Sequence, residues 1–434
     1  MPMPPLSRSS SLGPFRSLLI VASALFLLSS GAARAEVASL DLSACYERAL
    51  ARNERVGIAA AEWRAAEDRY RQSRDTLIPS LSFVGSATFQ NDRRNDRSDS
   101  SSRNPESYAL GIRAEQSLYR GFRTTRIAEA REAEGRAARF DERRALEMLY
   151  LDVADAYHQV LAYDRDMALL KQLTDALAET VDALQDRVKL GRSRRADLIS
   201  AQTDLAETRV EAEAVRGLST ASRELLSFLI DLPAGDIRLT DYTEPPVPPK
   251  LEEHLALAEE RADIQAGAAR AEAAEREFRS AHGERQPEVL ASGEWRVWED
   301  PDEDREWNVT VAMALPLFDE GVIRSRAREK QEQMRISELN LAALRRSAQT
   351  DVRSAFAAYE TSVAQLERLK EAQGLAHENY ETQKRDYELG RASQLDALSA
   401  LAQWQRIERR EAAADIQAHA SLVRLHVAAG QVTP

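Results

Sequence analysis

The 434-residue chain carries 59 Lys and Arg against 71 Asp and Glu, a formal charge of −12. That balance argues against a nucleic-acid groove and supplies no polybasic patch for a membrane surface. Aromatic residues make up only 6%, and the alanine- and charge-rich remainder suits long amphipathic helices in an elongated molecule better than one compact enzyme core.

Residues 1–35 read as an export signal: Arg8 and Arg16 give a positive start, residues 18–28 an apolar run, and Ala33-Arg34-Ala35 a small-residue cleavage site. The mature chain is expected to begin near Glu36. An apolar core of 11 residues is too short to span a ~30 Å bilayer, and no later stretch offers about 18 uninterrupted apolar residues. If the exported protein is membrane-integral, it must be so through strands. Cys45 is the only cysteine, so no intrachain disulfide is possible. Leu42-Ser43-Ala44-Cys45 superficially resembles a lipoprotein processing site, but the charged Glu36 and Asp41 separate it from the apolar run. A buried helix cysteine is expected instead.

Laid upon itself with an offset of 199 residues, the chain places Leu190-Gly191-Arg192 on Leu389-Gly390-Arg391 and residues 197–201 on 396–400. The same offset pairs Asp152-Val153 with Asp351-Val352, Ala156-Tyr157 with Ala355-Phe356, and Leu118-Tyr119 with Leu317-Phe318. One unit has been duplicated. The copies are assigned to 36–232 and 251–434, with a proline-rich linker at 233–250 containing Pro233, Pro245, Pro246, Pro248 and Pro249.

Each copy opens with an incoming helix, 42–76 or 251–283, and continues into two segments of period two. Leu81, Phe83, Gly85, Ala87 and Phe89 alternate with polar residues in the first, as do Tyr108, Leu110, Ile112 and Ala114 in the second. In the second copy the alternating sets are Val289, Ala291, Trp295 and Val297, then Trp307, Val309, Val311, Met313 and Leu315. These read as strands with one apolar and one polar face, forming hairpins at 80–118 and 287–316 around the polar runs 91–106 and 299–306. About ten residues suits a tilted outer-membrane strand, with Trp295, Trp298, Trp307 and Tyr108 as interfacial aromatics. A soluble antiparallel sheet resting on helices produces the same alternation. Four strands cannot close a barrel alone and an open edge cannot face lipid, so insertion would require several copies of the chain.

Beyond the strands the period becomes helical. Leu146, Leu149, Val153, Ala156, Val160, Tyr163, Met167, Leu170, Leu173, Leu177, Val181, Leu184 and Val188 form a near-heptad seam with steps of mostly three and four. No proline interrupts 124–190, so one helix of ~67 residues would reach ~100 Å, a trans-periplasmic length. Residues 322–389 repeat the design. Gly191 and Gly390 are placed to end these helices in the left-handed conformation, and return helices are expected at 193–230 and 393–429. Incoming and return helices stacked end to end match one long helix.

The six histidines are scattered, with no His-Glu-x-x-His or Cys/His cluster to hold a metal. There is also no phosphate-binding glycine loop and no nucleophile elbow. Neither catalysis nor a cofactor is assigned.

Leu77-Ile78-Pro79-Ser80-Leu81 entering a strand, Gln116-Ser117-Leu118-Tyr119-Arg120-Gly121 leaving one, Leu315-Pro316-Leu317-Phe318-Asp319-Glu320-Gly321 in the second copy and the two Leu-Gly-Arg tips form an ordered set. With these motifs, nearly the whole mature chain resembles the TolC family of outer-membrane efflux proteins. The resemblance implies a homotrimer in the Gram-negative outer membrane, with four transmembrane β-strands per chain completing a 12-stranded β-barrel above a long antiparallel coiled-coil α-helical barrel. It further implies a passive exit duct for an efflux or type I secretion system. A periplasmic adaptor (membrane fusion protein) would dock at Gly191, Arg192, Gly390 and Arg391 and join the duct to an inner-membrane pump of RND or ABC type. Asp396 falls where the family carries a pore-narrowing aspartate, Asp197 takes the matching place in the first copy, and Tyr387 matches a tip tyrosine that holds the closed arrangement. Ser399 stands where well-known members carry a second aspartate, so a single acidic ring is expected. A carboxylate in the first turn of a return helix also suits the helix dipole without any gating role. The rival from another class is a periplasmic coiled-coil adaptor or scaffold. Drug efflux, metal efflux and protein secretion all fit, because the pump selects the cargo.

Overall fold

The computed structural model describes residues 39–89, 106–242, 250–300 and 307–432. The expected export signal, most of both polar hairpin runs and residues 243–249 of the expected linker lie outside them. The elements run α1 (Leu42–Arg52), α2 (Glu54–Asp75), β1 (Ser80–Phe89), β2 (Glu106–Arg120), α3 (Arg123–Lys189) and α4 (Arg195–Ile230), then α5 (Leu251–Ala258), α6 (Ala262–His282), β3 (Glu288–Asp300), β4 (Trp307–Ala314), α7 (Val322–Glu388) and α8 (Gln394–Ala428). Both long helices have 67 residues, ~100 Å of continuous helix. Alanine, leucine, glutamate and arginine dominate them, and proline is absent.

The incoming helices are each broken in two, where the sequence pattern suggested one piece. Asn53 is extended (φ −74°, ψ 122°), and its side chain accepts from the Arg55 N–H, starting α2 as a fresh helix. In the second copy the helix is interrupted before Ala262. There the nearly fully buried Arg261 guanidinium donates to Asp263, Asp351 and the Ala428 carbonyl, clasping α6, α7 and the end of α8.

Helix α3 packs chiefly against α2, α4, α6 and α8, whereas α7 packs chiefly against α5, α6 and α8 and touches α3 near the hairpin turns. Burial follows this layout, with eighteen buried residues on α3 and seven on α7. Ile336, Leu339 and Leu375 are exposed on α7, as are Ile199, Val210, Leu218 and Phe228 on α4, so the flanks of the layer remain apolar and uncovered.

The four strands form one antiparallel sheet in the order β1-β2-β3-β4, which joins the two copies through β2 and β3. Leu81 faces Ala114 and Phe83 faces Ile112. Ile112 faces Trp295, which in turn faces Trp307, continuing one apolar face across the sheet. Phe83 is 70% and Val311 63% exposed, so this face is not laid on the helices as in a soluble two-layer sheet. On the other face Arg113 pairs with Glu294 at 2.9 Å and Arg296 with Glu299 at 2.8 Å. A bulge interrupts the alternation expected over β3. Gly111 opposes Arg296 while Leu110 opposes Trp298, so Val297 is the extra residue and Trp298 takes its place in the apolar row. At Gly111 a Cβ would lie 2.8 Å from the Trp295 carbonyl oxygen; the glycine allows the backbones to approach.

Midway along the helices lies the largest core, built from Tyr150, Val153, Tyr157 and Val160 of α3 with Leu226, Ile230 and Ile416. Cys45 of α1 is fully buried there, and burial pushes its thiol up to about 12. The described start of the linker also belongs to this core. Ile237 is fully buried, and Leu40 and Leu239 form a parallel bridge. His158 Nδ1 lies 2.6 Å from the Ala154 carbonyl, which can only accept, so Nδ1 carries the proton and Nε2 accepts from the Tyr242 hydroxyl at 2.7 Å. The Tyr242 ring also stacks on His419 with centroids 4.0 Å apart.

Candidate functional site

Both helical hairpins turn by the same hydrogen-bond pattern. The Gly191 N–H donates to the Val188 carbonyl at 3.0 Å and the Arg192 N–H to the Arg187 carbonyl at 2.8 Å. In the second copy Gly390 donates to Tyr387 at 3.0 Å and Arg391 to Asp386 at 2.7 Å. These paired bonds satisfy carbonyls that a helix end leaves open, and they require a left-handed residue. Both glycines have φ +71°, and no atom lies within 4 Å of where a Cβ would stand. The backbone angle, rather than space, selects glycine. Arg192 and Arg391 are exposed beside these turns.

After the turn the copies diverge. Ser393 caps α8: its Oγ accepts from the Asp396 N–H at 3.2 Å, and Asp396 Oδ2 accepts from the Ser393 N–H at 3.0 Å and the hydroxyl at 2.6 Å. These bonds, the Ser393 hydroxyl foremost, hold the Asp396 carboxyl below its ordinary range, so it stays charged on an exposed surface. The equivalent cap in the first copy is Arg194, whose side chain makes no capping bond. Asp197 therefore sits half-buried in the first turn of α4 without that reciprocal anchor.

The two hairpins meet just above the turns. Leu177, Val181 and Leu184 of α3, Ala201 and Leu205 of α4, and Leu398 and Leu401 of α8 form one apolar cluster. At its lower end the Arg187 guanidinium lies 5.4 Å from the centre of the Tyr387 ring and donates to the Tyr387 hydroxyl. Residues 200 positions apart thus join the last turns of α3 and α7. A cavity of about 220 Å³ opens beneath this contact, with Leu184, Leu398 and Leu401 among its lining. Further from the tip, Arg409 of α8 reaches Asp166 of α3 at 2.5 Å and Glu211 of α4 at 2.8 Å, binding three helices.

Tyr387 therefore has a partner that sequence reasoning did not name. Arg187 carries no local signal, since it reads as one more cation in the last turn of a helix. Among the described residues no group of three His, Cys, Asp or Glu is placed to hold a metal ion, and no helix is long and apolar enough to cross a membrane.

The family model described as outer membrane efflux protein matches residues 45–230 and 255–431. No curated protein matches the chain by sequence. Among solved structures, the outer membrane protein VceC from Vibrio cholerae is 19% identical with a TM-score of 0.80, covering 90% of this chain and 96% of its own. The Campylobacter jejuni CmeC outer membrane channel is 16% identical with a TM-score of 0.80 and coverages of 90% and 85%. The open state of the Neisseria gonorrhoeae MtrE outer membrane channel is 20% identical with a TM-score of 0.75 and coverages of 90% and 89%. At these identities the likeness is one of fold.

Proposed function

The chain belongs to the outer membrane efflux protein family, and from that premise we propose that it is the passive exit duct of a multi-component efflux or type I secretion system. One observation carries the reading: a two-faced sheet with free edges at β1 and β4 continues into a helical layer whose flanks are also uncovered. Strand edges cannot stand in lipid unpaired. Joining β4 of one copy to β1 of the next, and α7 to the α2–α4 flank, would satisfy strands and helices by one rotation, and a ring of such contacts closes. Three copies make the homotrimer and 12-stranded barrel. The apolar face then meets outer-membrane lipid, and the Arg113–Glu294 face lines a watery lumen. A coiled-coil adaptor or scaffold would account for the helices but has no use for this sheet.

In this reading the tips lie in the periplasm, a full helix length from the sheet. Gly191, Arg192, Gly390 and Arg391 form the surface for a periplasmic adaptor, which links the duct to an RND or ABC pump of the inner membrane. Asp396, with Asp197 behind it, supplies negative charge at the constriction, and Tyr387 latches the hairpins shut through Arg187. The duct performs no chemistry; the pump supplies energy and selects cargo.

Mass measurement of the detergent-extracted complex, together with heat-modifiable migration, tests the assembly, and a stable outer-membrane monomer would overturn it. Single cysteines at Ser193 and Ser393 in a Cys45→Ala background should crosslink to the adaptor. Labelling of those sites by an impermeant reagent outside intact cells would put the tips on the wrong side.

A further inference from the structure

The cavity between α3, α7 and α8 has a chemistry that the duct reading does not use. Its floor is apolar, formed by Leu184, Ala397, Leu398 and Leu401, and Tyr380 and Tyr387 add aromatic walls. At about 220 Å³ it is smaller than the ~300–1,000 Å³ typical of drug-sized ligands, so it suits a fragment of one or two fused rings. Two cations also line it, Arg187 and Lys384. The Lys384 ammonium lies 5.8 Å from the centre of the Tyr380 ring, as the Arg187 guanidinium lies over Tyr387.

Several inter-helix arginines of this helical body are matched with carboxylates: Arg165 with Asp415, Arg409 with Asp166 and Arg424 with Asp155. Among the described residues neither Arg187 nor Lys384 forms such a pair. Glu388 also lines the cavity and, like the two cations, is exposed; two cations against one carboxylate leave the lining one positive charge in excess. We propose that this cavity binds a small aromatic carboxylate. The flat ring system fills the leucine floor between the tyrosines, where stacked and edge-on contacts are favourable. The carboxylate takes the planar guanidinium fork and the Lys384 ammonium, both able to turn toward an anion. A cationic ligand of the same shape meets two like charges, and a neutral one leaves both cations unmatched.

Such a ligand touches α3 through Leu184 and Arg187, α7 through Lys384 and Tyr387, and α8 through Leu398, so it bridges the seam between hairpins. Its effect on conductance rests on the gate reading above, because a molecule bound across the seam favours the shut arrangement; binding itself does not depend on that reading. The test is calorimetric titration of the detergent-purified full chain with 2-naphthoate, its neutral carboxamide isostere and 2-naphthylmethylammonium. A millimolar dissociation constant is expected for the carboxylate, the affinity open to a ligand of this size, with binding at least tenfold weaker for both analogues. Arg187→Met and Lys384→Met, both at exposed positions, should each weaken naphthoate about tenfold, and the double variant should bind it no better than the carboxamide. No heat with naphthoate, equal binding of the carboxamide, or a double variant that binds like the parent would overturn the proposal. If naphthoate binds as expected yet leaves single-channel conductance unchanged, the site stands and the gate reading falls.

Discussion

Replacing Arg187 by methionine keeps the length and apolar stem of the side chain and removes its charge, so the expected effect can be built from the Arg187–Tyr387 contact alone. A cation over an aromatic ring at an exposed site contributes about 0.5–1 kcal/mol, and a hydrogen bond from a charged donor about 1.5–3 kcal/mol. Both groups are partly solvated, so the lower ends apply and the latch is worth about 2 kcal/mol per protomer, or ~30-fold in a two-state equilibrium. In the proposed trimer, three latches released together would shift a concerted closed-to-open equilibrium by about 6 kcal/mol, more than the ~5.5 kcal/mol that turns 1:99 into 99:1. Arg187→Met should therefore hold the trimer in a high-conductance state in planar bilayers and make cells leaky to large antibiotics. Tyr387→Phe keeps the ring and loses only the hydroxyl, so its conductance should be intermediate. Normally assembled Arg187→Met trimers with parental conductance would refute the latch.

The remaining expectations separate charge, capping and packing. Asp396→Asn should reduce cation preference and divalent block, whereas Ser393→Ala, which loses the cap at a cost of about 1 kcal/mol but keeps the charge, should leave both unchanged; equal effects would return Asp396 to a purely helix-start role. Burial pushes His158 from 6.5 down to about 4, so the unfolded chain binds the extra proton first. Its contribution is fully present above pH 6.5 and is lost as pH falls toward 4, by about 3 kcal/mol in all. Thermal unfolding of His158→Gln should show a shallower loss over that window, and an unchanged slope would contradict the assignment. Arg261→Met takes the buried guanidinium from the partly solvated carboxylates of Asp263 and Asp351 and should destabilise the fold by about 1.5–3 kcal/mol, readable in chemical denaturation. Gly121→Ala places a Cβ 2.4 Å from the Gly283 carbonyl oxygen at φ +61°. It should lower assembly yield far more than Gly191→Ala, where nothing crowds the added methyl.

Local periodicity was enough to separate strand from helix. Side-chain direction repeats every two residues in a strand and every 3.6 in a helix, so Leu81, Phe83 and Phe89, or Leu149, Val153 and Val160, declare their element without reference to anything distant. Glycine at 191 and 390 was equally legible, because the left-handed turn is a property of one residue. What stayed hidden depends on partners far along the chain. The bulge that promotes Trp298 over Val297 exists because β3 must run beside Gly111 of β2, a strand from the other copy. Where the second incoming helix breaks, the side chain of Arg261 must reach Asp351 and Ala428. Arg187 becomes more than a helix-end cation only when α7 brings Tyr387 beside it, and no pattern in either segment encodes that meeting. The flanks of α4 and α7 show the same division: their apolar residues were readable one by one, but only the packed order of helices decided that they face outward, because burial belongs to the arrangement and not to the residue.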